Sequence, residues 1–313
     1  MAKYILGRIV IAGLTLLLIL FILFLLLEFM PGSPFNDARM SEDQIRTLNE
    51  IYGLNAPVSE RFFIYMKNVI FHWDFGVSYA IQKNMKISSI IAARVGVTVQ
   101  IGLQAIVIGS VVGIFLGVIA GLKRNSLADT LTTIIAVVGV SIPSYVIALG
   151  LSFFIGYKLR LLPITFQMGE PFLSTLLPST ALSLFVIAQT ARFTRMELIE
   201  IIKSDYFKLA EAKGLRKAKL IRRHALKNAM IPIITILGPL LVGLMTGSLV
   251  VEKIFGVPGI GSLLINAIQV NDFSVIIAVA FIYSFFYIMA NLVIDILYGV
   301  FDPRIRVAAE EKQ

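Results

Sequence analysis

Of the 313 residues 58% are hydrophobic and 15% charged, with a mean hydropathy of +0.87, where a soluble domain has about half apolar and a quarter charged residues. Such a chain cannot hide its apolar surface inside itself and belongs in a bilayer. With no cysteine, disulfides, thiolate metal sites and cysteine nucleophiles are excluded, and the placement of the +9 net charge argues against nucleic acid.

Residues 9–27 form an uncharged run with no small-residue cleavage site after it, so the sequence predicts an uncleaved first span rather than a signal peptide. Five further charge-free segments are long enough to cross about 30 Å of hydrocarbon: 95–122, 130–157, 171–191, 228–251 and 273–294. Prolines 143, 178, 232 and 239 fall inside them, as spanning helices tolerate. With the N-terminus inside, the inner segments hold 18 Lys and Arg and the outer ones 10. The short inner loops are the basic ones, so both termini are expected in the cytoplasm. The excess of positive charge follows from that rule and leaves no nucleic-acid footprint.

Residues 28–94 are too many for a simple connection. Ser41 and Gln44 read as a capping box, Ile45, Leu48 and Ile51 recur at helical spacing, and Gly53 is placed to stop the helix. After Pro57, Phe62, Tyr65, Met66, Val69 and Ile70 form a second apolar stripe, followed by the aromatic cluster Trp73, Phe75 and Tyr79. The expectation is a small helical cap on the outer membrane surface, serving as a packing lid or touching a ligand.

The second span carries Gly109, Gly113, Gly117 and Gly121 at every fourth position, and the fifth carries Gly243 and Gly247. Such faces let backbones approach closely, as a static seam or a sliding gate. Gln100, Gln104, Ser141, Ser144, Ser152, Ser183 and Gln189 put polar groups within the hydrocarbon, where an unsatisfied group costs several kcal/mol. They would line a wet passage or bond between helices. Asp295, near the inner end of the sixth span, is placed to pair with a loop cation.

The only long polar interruption in the second half is the basic loop 192–228. Asp205 is suited to cap a short helix and Gly214 to end it in the left-handed conformation. Ala210 and Gly214, four apart, would share one flat face. A second, basic helix would then run from about Arg216 to Pro232. On the residues alone, this is a docking handle or a solvated basic loop that sets topology.

Within that loop, DYFKLAEAKGL (205–215) and RHALKNAMIP (223–232) resemble the cytoplasmic signature loop of ABC importer permeases, in its peptide and nickel variant. The matching positions are Asp205, Tyr206, Ala210, Ala212, Lys213, Gly214, Leu215, His224, Ala225, Leu226, Asn228 and Pro232. Lys208 departs, standing where the general signature has a glutamate. MPGSPF (30–35), YGLNAPVSERF (52–62), DFGVS (74–78), GSLVVEKIFGVPGIG (247–261) and NLVIDILYGVFDPRIR (291–306) extend the likeness over nearly the whole chain.

The resemblance implies an all-α polytopic membrane protein with six transmembrane helices, a type I importer permease of the bacterial cytoplasmic membrane. It divides the chain into a tail and first span (1–29), an outer cap loop (30–94), a five-helix core (95–300) holding the loop 192–228, and a cytoplasmic tail (301–313). The implied partners are a homologous second permease, two cytoplasmic ATPases that carry the ATP and magnesium, an external peptide-binding protein and the lipid bilayer. Asp205, Tyr206, Ala210, Ala212, Lys213, Gly214, Leu215, Arg216, Lys217 and His224 would form the ATPase-docking surface. Gln100, Gln104, Ser141, Ser144 and Gln189 are the candidates for the pathway wall.

No cofactor is expected on this chain. The sequence has no GxxxxGK[ST] phosphate loop, GxSxG elbow or intramembrane carboxylate pair, so an enzyme is not expected. His72 and His224 are placed on opposite sides of the membrane and cannot share a metal ion. The substrate implied is a peptide, oligopeptides before dipeptides, with nickel or a metallophore as the alternative. A non-transporting membrane anchor or signalling subunit is the alternative of another class.

Overall fold

Apolar runs of this length must satisfy every backbone group within the segment, and in hydrocarbon that means helices. The computed structural model describes residues 2–29, 42–51 and 55–301. The segment 30–35, the cap at Ser41, the stop at Gly53 and the tail 302–313 lie outside the described residues. The elements are α1 (Ala2–Glu28), α2 (Glu42–Ile51), α3 (Val58–His72), α4 (Ile87–Leu122), α5 (Leu127–Ser141), α6 (Ser144–Leu151), α7 (Pro171–Ser174), α8 (Leu176–Lys203), α9 (Asp205–Ala212), α10 (Lys217–Leu220), α11 (Lys227–Ile254), α12 (Ile260–Gln269) and α13 (Phe273–Phe301). π-helical turns extend α6 over Ser152–Lys158 and join α10 to α11 over Ile221–Leu226.

Among the described residues five helices are long and apolar enough to cross a membrane, and the number is six if a bent pair is one span. That pair, α5 with α6, stands where the sequence places the third span, 130–157. Pro143 cannot donate to the helix ladder, and Ile142 before it takes an extended backbone (φ −89°, ψ 123°). The axis turns by 105° at that point. The fourth expected segment also differs, since α8 continues past residue 191 to Lys203.

The chain forms two compact units. The first comprises Met1–Gly96 and Pro258–Ile296. Its core joins Leu20, Phe24 and Leu27 of α1, Phe62, Met66 and Val69 of α3, Ile87 and Ile90 of α4, and Val275 to Phe281 of α13. Phe24 meets Phe62 edge to face at 5.5 Å, as Phe75 meets Phe281. Of the predicted α3 stripe Ile70 stays exposed. Among the described residues nothing covers Leu14, Leu18 and Leu26 on the other faces of α1, each about 60% exposed, the pattern of a helix that meets lipid.

In the same unit Asp272, fully buried just before α13, holds the loop that follows α3. Its carboxylate accepts from Ser78 Oγ (2.5 Å) and from the backbone N–H groups of Tyr79 (3.2 Å), Ala80 (2.9 Å) and Ile81 (3.1 Å). A buried charge so satisfied fixes the loop rather than straining it.

The second unit is built mainly from Val97–Val257. Its centre is α8, where Leu177, Ala181, Leu182, Val186, Ala188, Ala191 and Leu198 are all buried.

Candidate functional site

The glycine stripe of α4 faces α8. A Cβ at Gly113 would stand 2.8 Å from Thr190 Cβ and 2.9 Å from the Ile187 carbonyl oxygen. At Gly117 the distances are 2.5 Å to Thr194 Cβ and 2.6 Å to the Ala191 oxygen. Gly109 meets Val186 in the same way, and Gly121 meets Leu198 at 3.0 Å. Both helices advance four residues together, so they run parallel, with backbones closer than any side chain permits. Gly139 of α5 closes on the other flank of α8, 2.8 Å from the Leu184 oxygen. Gly243 differs from the expectation for the fifth span: among the described residues a Cβ there meets nothing within 4 Å. The surroundings of Gly247 lie outside the described residues.

The glutamines also turn to α8. Gln100 Nε2 donates to Thr175 Oγ1 at 3.0 Å, and Gln104 Oε1 accepts from Ser179 Oγ at 2.7 Å. These bonds give both residues the interhelical role, although Gln104 Nε2 remains buried without a partner among the described residues. Gln189 is half-buried, Ser141 exposed and Ser144 half-buried. Ser144 lies with Pro143, Ile147, Leu182, Phe185 and Gly243 around a cavity of about 240 Å³ at the α5–α6 bend.

Two buried acids of this unit carry contacts that sequence reading missed. Asp129 of α5 takes a two-pronged bond from Arg195 of α8, Nε to Oδ1 at 2.5 Å and Nη2 to Oδ2 at 2.9 Å. It also accepts from the Asn125 N–H at 2.9 Å. Arg195 belongs to the stretch read as loop, but α8 runs through it and presents it to α5. Glu252, fully buried near the end of α11, accepts from Thr98 Oγ1 at 2.8 Å.

Beyond Arg195 the basic segment folds on itself. At Ser204 the backbone turns extended (φ −67°, ψ 151°), and the hydroxyl donates back to the Ile201 carbonyl at 2.5 Å. Ser204, not Asp205, occupies the cap position of α9, and its side chain is spent on that carbonyl. Asp205 is the first helical residue, exposed beside Lys208 Nζ at 3.2 Å, where its charge still suits the helix start. Gly214 follows the last turn at φ +75°, and its N–H donates to the Glu211 carbonyl at 2.9 Å.

Phe207 and Ala210 point inward, into a cluster with Leu198, Leu220, Ala225, Ala229 and Ile233, against which Leu215 packs. Ala210 is thus small because the loop packs on itself, and it does not share an exposed face with Gly214. Tyr206 ties α9 to α11: its hydroxyl donates to the His224 carbonyl at 3.4 Å and accepts from Asn228 Nδ2 at 3.0 Å. The outward face comprises Lys208, Leu209, Ala212, Lys213, Gly214 and Arg216; the Lys217 side chain lies outside the described residues. Leu209 was not singled out in the sequence, yet it is 59% exposed on this face. The signal available was its place three residues before Ala212 and four before Lys213.

Several helices long and apolar enough to span a bilayer, with a self-packed basic loop between two of them, define a polytopic membrane protein. Residues 113–307 match the family described as binding-protein-dependent transport system inner membrane component, and residues 1–102 match the N-terminal region of such components. The chain belongs to that family and is a multi-pass protein of the bacterial cytoplasmic membrane. It is 39% identical to a dipeptide transport system permease protein of Lactococcus lactis, over 98% of this chain and all of the relative. An oligopeptide transport system permease protein of Salmonella typhimurium is 37% identical over the same shares. One solved structure, a crystal structure of an amino acid ABC transporter with histidines, superposes with a TM-score of 0.51 over 69% of this chain and 94% of that chain, at 18% identity. That likeness speaks for the fold alone.

Proposed function

We propose that the chain is the permease subunit of an ATP-driven, binding-protein-dependent importer of peptides. The observation that carries this is the end-to-end likeness, at 35–39% identity, to permeases named for dipeptide and oligopeptide transport. The two names interleave in identity, so they support peptide as the class and leave its length to experiment. A homologous permease would complete the pathway, two ATPases carrying ATP and magnesium would dock from the cytoplasm, and an external binding protein would deliver the peptide.

The geometry supports a way for the inner loop to move the spans. Partner ATPases would seat on the outward face of α9, with Leu209 and Ala212 in contact and Lys213 and Arg216 at the rim. A pull there reaches α11 through Tyr206 and α8 through the Phe207–Leu198 cluster. From α8 it passes to α4 along the glycine seam and to α5 through Asp129–Arg195. These helices would therefore rock as one block, because close-packed interfaces transmit displacement instead of absorbing it.

The test is uptake of labelled dipeptide, pentapeptide and nickel by cells with and without this chain, in a background lacking parallel importers. Loss of either peptide is expected, and which one is lost gives the length class. Loss of nickel uptake alone, or no loss, would overturn the reading.

A further inference from the structure

The first compact unit holds a cavity of about 300 Å³ that the importer reading leaves unused. It lies at the outer ends of two spans, the C-terminal end of α1 and the N-terminal end of α13, with the cap helix α3 as its third wall. Its lining mixes two kinds of surface. Phe24, Leu27 and Ile277 are apolar, while Arg61, Tyr65 and Asp74 bring a cation, a hydroxyl and an anion. The Tyr65 hydroxyl is buried with no hydrogen-bond partner among the described residues. Burial first, and the nearby Asp74 charge second, push its pKa far above the ordinary phenol value, so it remains a protonated donor. A buried hydroxyl left without an acceptor is costly, and an acceptor in the cavity would satisfy it.

We propose that this cavity seats the headgroup of a zwitterionic, ethanolamine-type phospholipid of the outer leaflet, with the phosphodiester at Arg61 and the Tyr65 hydroxyl and the ammonium at Asp74. The oxygens of a phosphodiester suit a guanidinium and a hydroxyl donor, and a carboxylate suits the primary ammonium. The volume falls in the range of small-molecule pockets, about 300–1,000 Å³. The acyl chains have a path to follow, since Ile22, Leu25 and Leu26, beside the α1 wall, are exposed. A free peptide also carries both charges, but that apolar exit favours a lipid.

Trp73, the single tryptophan of the chain, directly precedes Asp74 and is 66% exposed, which gives the test its signal. The full chain is placed in nanodiscs of uncharged carrier lipid containing acyl-brominated phosphatidylethanolamine or phosphatidylglycerol, and Trp73 quenching is followed against mole fraction. The ethanolamine lipid is expected to reach half-quenching at about a tenfold lower fraction, the effect of one charge-assisted hydrogen bond. Asp74→Asn is expected to bring the two lipids to parity, and Arg61→Gln to weaken both. Tyr65→Phe keeps the ring and its packing and, like Arg61→Gln, is expected to weaken both lipids several-fold through the shared phosphodiester, so a folding defect cannot imitate the result. Equal quenching by the two lipids in the unaltered chain, an undiminished preference in Asp74→Asn, or unchanged half-quenching by both lipids in Tyr65→Phe would overturn the proposal. Relief of the selective quenching by millimolar trialanine but not by phosphoethanolamine would overturn it too, giving the seat to a free peptide. None of these outcomes depends on what the importer carries.

Discussion

Asp272 shows what a single carboxylate can hold in place. Its four closest bonds, from Ser78 Oγ and three successive N–H groups, close the turn between the cap helix and α4. Each bond to a charged group contributes about 1.5–3 kcal/mol, but the bonds are not additive. Asp272→Asn puts an amide where the backbone donors converge, leaving at least one buried N–H facing another donor. We expect a loss of about 2–3 kcal/mol, read as a lower thermal midpoint and faster proteolytic cleavage within residues 77–86. Ser78→Ala removes one of these bonds and also the acceptor of the Gln82 N–H at 3.0 Å, and should cost about 1.5–3 kcal/mol. Equal stability of Asp272→Asn and the unaltered chain would show that the clasp does not hold the loop. Nothing local in the sequence marks Asp272, because Ser78 lies 194 residues away. Asp129 and Arg195 are hidden for the same reason.

Among the elements, α8 is the one that others are built against. The four-residue glycine repeat of α4 was legible because a period of four on a helix defines a face, and a face without side chains serves close approach. Which helix fills it was not legible, since α8 answers with Val186, Thr190, Thr194 and Leu198, residues found in any span. The α5–α6 bend was half legible: Pro143 was visible, but a single proline in a span can kink, be absorbed or break the helix, and packing decides among these. The basic loop was legible in its helix–glycine–helix order. It was misread at Ala210, where smallness suits an external groove and an internal core alike. At the α4–α8 seam, Gly117→Ala puts a methyl group 2.6 Å from the Ala191 oxygen, against backbone that cannot rotate away. Overpacking of this kind costs about 1–3 kcal/mol, and Gly117→Leu should prevent the helices from closing. Gly96→Ala, on the same helix with nothing within 4 Å, is the control and should be neutral. Detergent-resistant thermal stability of the purified chain reads the difference. Equal midpoints for Gly117→Ala and Gly96→Ala would mean that the seam is looser than its geometry.

At the scale of the whole molecule, the proposed docking asks two things of the inner loop that pull its residues in opposite directions. The loop must be stiff, so that force applied to α9 reaches the spans, and it must present a surface that a partner can grip. Phe207, Ala210 and Tyr206 serve the first need and point to the chain's own core or to α11. Leu209, Ala212, Lys213 and Arg216, exposed on the outward face, would serve the second. This division separates two kinds of variant. Ala210→Trp would force a large ring into the cluster of Leu198, Leu220 and Ile233 and should lower the amount of folded chain. Leu209→Asp places a charge on a side chain already 59% exposed, so insertion and stability should stay as they are. If Leu209 sits in the ATPase groove, an unpaired charge there costs at least about 2 kcal/mol, roughly a thirtyfold loss of affinity. The ATPase subunits would then fail to co-purify, and peptide uptake would fall with them. Gly214→Trp should act in the same direction, since a side chain at φ +75° is strained by about 1–2 kcal/mol and its bulk lifts the partner. Full ATPase recovery and full uptake in Leu209→Asp would place the docking surface elsewhere and reduce α9 to a rigid corner between α8 and α11.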